Sequence, residues 1–162
     1  MAKKQSERPW YETVVIPALL RHARTAYGAA MHAALAEIGC DDVPKNGLYV
    51  IGGLAMGAGG VPLNQLVKEL GVSKQSAGQL VDTLVLRGYL DRAVDAEDRR
   101  KVSITLTARG KAAAVAQAAA RERIDGELAD RVGPTCVAQM RKALGCLCGM
   151  GREQAALADR DH

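Results

Sequence analysis

Phenylalanine is absent from the 162 residues, tryptophan occurs once, and aromatic side chains make up 3% of the chain. A core without large rings buries little apolar area per residue, so such a fold gains from oligomerisation. The N-terminus, MAKKQSERPW, has no apolar run behind its charges, which argues against a secretory signal and for a cytoplasmic protein. No segment is a polybasic tail although the net charge is +4, so contact with a polyanion must come from the placement of individual cations. Charge is also missing between Lys45 and Lys68, where Gly53 and Gly57 stand at GxxxG spacing. Six glycines together with Asn46, Pro62, Asn64 and Gln65 make that stretch too polar and flexible for a membrane span, and a buried helix followed by a loop is expected. Its GGLAMGAGG lacks the Gly-Lys-Ser/Thr ending and the strand-helix context of a phosphate-binding loop.

What is present belongs to a globular chain: 48% hydrophobic and 25% charged residues, enough for one domain or one domain with an appended dimerisation element. SERPWYETVVIPALLRHARTAYGAAMHAALAEIG reads as a long helical region, with Val15, Leu19, His22, Ala26, Ala30 and Ala33 recurring at three- and four-residue steps. Pro17 should start or kink it, and Gly39 should stop it. A short helix is expected from about Pro44. VPLNQLVKELG then sets Leu63, Leu66, Val67 and Leu70 on one face, with Gly71 as the turn. Ser73 caps the next helix, Ala77, Leu80, Val81 and Leu84 form its inward stripe, and Gly88 closes it. Two short helices about a tight turn make a helix-turn-helix.

A hairpin follows. In KVSITLT, Val102, Ile104 and Leu106 alternate with Ser103, Thr105 and Thr107, as in a strand with one buried face. Two more helices are expected beyond it, split by Gly133 and Pro134. The expected fold is mostly α with a small β-hairpin wing. Its winged helix-turn-helix lobe spans residues 40–109, and residues 1–39 and 110–162 supply the dimerisation helices.

The tip of the hairpin crowds together Asp95, Glu97, Asp98, Arg99, Arg100 and Lys101. A cation at the end of a stiff hairpin can enter the minor groove of a DNA duplex, where the potential is most negative. Asp98, two residues from Arg100, has the spacing to hold that guanidinium by a bidentate pair. On this reading the contacts to double-stranded DNA come from Asp98, Arg99, Arg100 and Lys101 on the wing. Ser73, Lys74, Gln75, Ser76 and Gln79 supply them on the second helix, the serines taking phosphates and the glutamines reading adenine edges.

DAEDRRKVSITLTARG resembles the wing signature of the MarR family of bacterial transcription regulators: Asp-x-Arg, a strand, then Leu-Thr-x-x-Gly. Asp98, Arg100, Leu106, Thr107 and Gly110 occupy those positions. LVKELGVSKQSAGQLVDTLVLRGYLDR fits the family's helix-turn-helix in spacing, and the likeness extends over about residues 11–150. It implies a homodimer on a pseudo-palindromic operator, usually a repressor released by a small-molecule effector or by cysteine oxidation, with no cofactor and no enzymatic activity. By the same resemblance the effector pocket points to Tyr27, Met31, His32 and Tyr49. The recognition helix departs from the family: Gln79, preceded by Gly78, stands where an arginine is usual, and Thr83 replaces a later basic residue.

The four cysteines are Cys40, Cys136, Cys146 and Cys148. Cys146 and Cys148 are two apart, about 200° around a helix, so their thiols diverge and no histidine flanks them. Buried, inert thiols are expected, against the rival reading of a thiol-based redox sensor or enzyme using Cys146 and Cys148. His22 and His32 lie about 15 Å apart along one helix and cannot share a metal. A third reading keeps the winged helix but makes it a protein-interaction module, given the sparse charge of its recognition helix.

Overall fold

The computed structural model describes residues 8–57, 61–62, 73–94 and 102–158. Helix α1 runs Ile16–Glu37 behind a single 3-10 turn, Trp10–Glu12. Val15 is extended at its N-cap and Pro17 falls in the first turn, where a missing N–H costs nothing, so the proline starts the helix rather than kinking it. Helix α2, Gly47–Met56, is the buried helix expected of the charge-free stretch, with Leu48, Val50, Ile51 and Leu54 inside. A two-residue strand β1, Val61–Pro62, precedes helix α3, Lys74–Leu86. Strands β2, Leu90–Val94, and β3, Val102–Leu106, lead to helix α4, Ala108–Val132, and helix α5, Pro134–Ala158. The helix expected over 63–70, and the turn after it, lie outside the described residues.

The hairpin is the centre of a three-stranded antiparallel sheet in the order β1-β3-β2. Leu90 faces Leu106, Arg92 faces Ile104, and Val61 pairs with Ile104 from the other side. Ile104 is thus held between two strands and fully buried, with Leu106 packed against the core beside it. The hairpin was legible from alternation; the third strand was not, because two residues carry no period.

One core serves helices and sheet alike. Met31, Ala34 and Leu35 of α1, Ile51 and Leu54 of α2, Val81 and Leu84 of α3, Tyr89, Leu90, Ile104, and Ala113 and Ala120 of α4 form a single cluster. The chain divides into two compact units, Met1–Arg121 and Glu122–His162. The buried face of α1 corrects the expected stripe: Val15, His22, Ala26 and Ala33 are exposed, and the inward side chains stand at the helix's C-terminal end. Periodicity fixes that a face exists but not which neighbours cover it.

The Leu-Thr-x-x-Gly run has a physical reason. Thr107 Oγ1 accepts from the backbone N–H of Gly110 at 3.0 Å, capping α4, and donates to the Gly88 carbonyl at 2.6 Å. A Cβ on Gly110 would overlap the Tyr89 carbonyl oxygen and come within 3.0 Å of Leu106, so only glycine lets α4 start against the base of β2. Gly88, at φ +73, ends α3 in the left-handed turn that L side chains resist, and the Tyr89 N–H closes back on the Leu84 carbonyl at 2.9 Å.

Within the second unit, α5 begins with Pro134 at its first position after Gly133, as expected. Arg141 pairs with Asp125 at 2.6 Å. None of the described residues of α5 is buried, and Met140, Leu147 and Met150 are exposed. Among the described residues no helix is long and apolar enough to cross a membrane.

Candidate nucleic-acid interface and neighbouring cavities

The outward face of α3 is set by its cap. Ser73 Oγ accepts from the Ser76 N–H at 3.1 Å and donates to Ser76 Oγ at 2.9 Å, so the two serines brace the first turn together. Ala77, Val81 and Leu84 turn inward, and Ser73, Lys74, Gln75, Ser76 and Gln79 are exposed. Among the described residues, the side chains of Lys74, Gln75 and Gln79 make no hydrogen bond or ion pair, so their donors and acceptors are open to a partner. Thr83 Oγ1 is spent on the Gln79 carbonyl at 2.8 Å. A Cβ on Gly78 would meet open space. No packing among the described residues therefore requires glycine there.

Contacts between residues far apart in sequence hold the C-terminal half of α3 and the turn after it, and no local pattern signals them. Arg92 on β2 donates to Asp82 on α3, both partly solvated. Just beyond the C-terminus of α3, Tyr89 is the largest fully buried side chain, and its hydroxyl donates to Asp42. Arg109 joins them: it donates to Asp42 Oδ1 at 3.0 Å, to the Arg87 carbonyl at 3.0 Å and to the Gly39 carbonyl at 3.3 Å. Its guanidinium lies 4.5 Å from the Tyr89 ring centre. Arg87 in turn donates to the Asp42 carbonyl. The Tyr89 hydroxyl, with Arg109 nearby, holds the Asp42 carboxyl below its ordinary value, against a smaller opposing effect of burial. Burial first, then the neighbouring Asp42 carboxylate, pushes the Tyr89 hydroxyl above its own. The node ties the ends of α1 and α3 to the starts of β2 and α4, and so fixes α3 relative to the hairpin.

The wing-tip residues Asp98, Arg99, Arg100 and Lys101 lie outside the described residues.

Residues 42–101 match the MarR family. This winged-helix segment is of the MarR family. The MarR-type fold extends well beyond it. FabT from Streptococcus pneumoniae, in a crystal structure with DNA, shares 21% identity over 85% of this chain and 96% of its own, with a TM-score of 0.72. The apo form of wild-type MarR from E. coli shares 19% over 83% and 97%, with a TM-score of 0.63. A probable transcriptional regulator from Pseudomonas aeruginosa shares 25% over 82% and 96%, with a TM-score of 0.62. No curated protein sequence matches the chain.

The four residues assigned to an effector pocket of this MarR-type lobe fall on two neighbouring cavities. Tyr27, Met31 and Tyr49 line one of about 360 Å³; His32 and Tyr49 line another of about 470 Å³. Tyr49 divides them, its hydroxyl accepting from Arg24 Nε at 2.7 Å while the Arg24 guanidinium lies 4.3 Å from the ring centre. His32 Nε2 is buried without a partner among the described residues. Sequence reasoning missed Arg24 and Arg121, the cations of the first cavity. Arg24 precedes Tyr27 by one helical turn, which was the available signal.

The thiols correct an expectation. Cys40 is buried, but Cys136, Cys146 and Cys148 are exposed in the chain by itself. Among the described residues no group of histidine, cysteine or carboxylate side chains could hold a metal ion.

Proposed function

We propose that the chain is a DNA-binding transcriptional regulator, a binding protein and not an enzyme. It would act in the cytoplasm as a homodimer on a pseudo-palindromic operator, as a repressor released by a small effector. The observation that carries the reading is the capped, exposed face of α3, with Lys74, Gln75 and Gln79 unengaged, in a MarR-type lobe. Such a helix enters the major groove, and two of them across a dyad reach grooves about 34 Å apart. Gln75 and Gln79 can read adenine edges, Ser73, Lys74 and Ser76 can hold phosphates, and Arg100, oriented by Asp98 and flanked by Arg99 and Lys101, enters the minor groove. Residues 40–109 would provide the lobe and the terminal segments 1–39 and 110–162 the dimer contacts. The exposed apolar side chains of Val15, Ile16, Leu147 and Met150 support that division. Tyr27, Met31, His32 and Tyr49 would contact the effector.

The test is a pull-down of genomic fragments followed by titration of the enriched duplex at several salt concentrations. The native chain should select a palindromic site. Gln79→Ala should lose about 1–3 kcal/mol and relax selectivity at one base position. Arg100→Ala should weaken binding and lower the salt slope by about one per wing. Enrichment of no fragment, or native-like binding by both variants, would leave the winged helix as a protein-interaction module.

A further inference from the structure

We propose that the chain binds an elongated amphipathic carboxylate, with its head on Arg121 and its apolar body in the cavity beyond Met56. The assignment deepens the effector reading above by naming the chemistry of the ligand. Two cavities meet at this point. The 360 Å³ cavity lined by Tyr27, Met31 and Tyr49 also has Met56 and Arg121 in its wall. The same two residues line a second cavity of about 620 Å³, whose other walls include Leu54, Leu106, Ala114, Val115 and Ala118. Together they exceed what a compact solute needs and fall within the size range of small-molecule sites.

The head is assigned to Arg121 because no oxygen acceptor among the described residues satisfies it. Its guanidinium is half-buried, and among the described residues its polar contact is Nη1 to the Met31 sulfur at 4.0 Å. Among the described residues no aspartate or glutamate lines either cavity. Among the described residues Arg24, the other arginine of the smaller cavity, is engaged by the Tyr49 hydroxyl, whereas Arg121 has no carboxylate or hydroxyl partner. One turn earlier on α4, Gln117 is fully buried, and both polar atoms of its side chain lack a partner. A buried amide and a half-desolvated guanidinium left open are costly, which is the signature of a site completed by something else.

Gly52 makes the approach possible. A Cβ there would stand 3.2 Å from Arg121 Nη1, so the glycine keeps the guanidinium uncovered at the wall of the smaller cavity. A guanidinium fork matches the two oxygens of a carboxylate. The aliphatic wall beyond Met56 takes the rest of the molecule.

Calorimetric titration of the native protein, without DNA, tests this with hexanoate, octanoate and decanoate below their micelle concentrations and with 1-octanol. Affinity should rise about three- to fourfold per added methylene. Octanoate should bind about 10- to 100-fold more tightly than octanol. Arg121→Met should erase the preference for acid over alcohol, and Arg121→Lys should keep part of it, since the charge remains and the fork is lost. No heat with any acid, equal binding of octanoate and octanol, or native-like octanoate binding by a folded Arg121→Met would overturn the proposal; the acid–alcohol comparison needs no variant to fold. A protein that binds the acids but no duplex would overturn the regulator reading alone. One that binds its operator but none of the acids would overturn this assignment alone.

Discussion

Replacing Asp42 by asparagine removes the charge that the Tyr89 hydroxyl and the Arg109 guanidinium both face while leaving an acceptor in place. The carboxylate is 39% exposed, so solvent screens it, and a loss of about 1 kcal/mol at neutral pH is expected, near the low end for a charged hydrogen bond. Because the native carboxyl titrates below its ordinary 3.8, its contribution is complete above that value and disappears as pH falls through the lower native one. Tyr89 acts at the other end of the scale: its hydroxyl titrates above the ordinary 10.0, so what it contributes is intact below that value and lost as pH rises past it. Urea midpoints of the native chain and Asp42→Asn should therefore differ at pH 7 and converge toward pH 3. A gap independent of pH would show that the charge is not what matters. None of this was legible in the sequence, since Asp42 lies 47 positions from Tyr89 and 67 from Arg109. Thr107 and Gly110 stood out only through the resemblance to the MarR wing signature, and the contact between them, three residues apart, is the local cap that explains that pattern.

At the scale of the element, α3 shows what patterning can and cannot carry. The N-cap at Ser73, the inward stripe of Ala77, Val81 and Leu84, and the stop at Gly88 all stand where local rules place them. The long helix α1 obeyed the same rules at its ends, yet its small side chains are nearly equivalent on every face, and the face that is buried is not the one spacing suggested. Gly78 is the informative position on α3. Neither its φ nor a neighbour asks for glycine, so it costs helix stability with no return inside the free chain. Gly78→Ala should raise the unfolding free energy by about 1 kcal/mol, and it should weaken operator binding, because the added methyl stands on the face proposed to approach the duplex. Thermal melts and duplex titrations of the same preparation separate the two effects. Stability gained with affinity unchanged would remove Gly78 from the interface.

The molecule as a whole leaves apolar surface uncovered in both units. In the first, Trp10, Tyr11, Val15 and Ile16 are all more than half exposed. In the second, the 25-residue helix α5 has no buried residue among those described, and its half-buried Leu144 and exposed Met140 and Leu147 recur at three- and four-residue steps. A helix gains most of its stability from packing an apolar face, so one that long with nothing on its stripe calls for a second surface. A second copy of the chain is the partner that a palindromic operator would also require. The native protein should then sediment as a dimer, with a thermal midpoint that rises with protein concentration. Leu147→Glu should shift it toward monomer. Operator affinity should fall at least about a hundredfold with it, because each recognition helix would then bind its half-site without the effective concentration supplied by its twin. A variant that stays dimeric and binds as tightly as the native chain would place the dimer contact elsewhere than this stripe of α5. A native chain that is monomeric at every concentration would remove the two-fold geometry on which the operator reading depends.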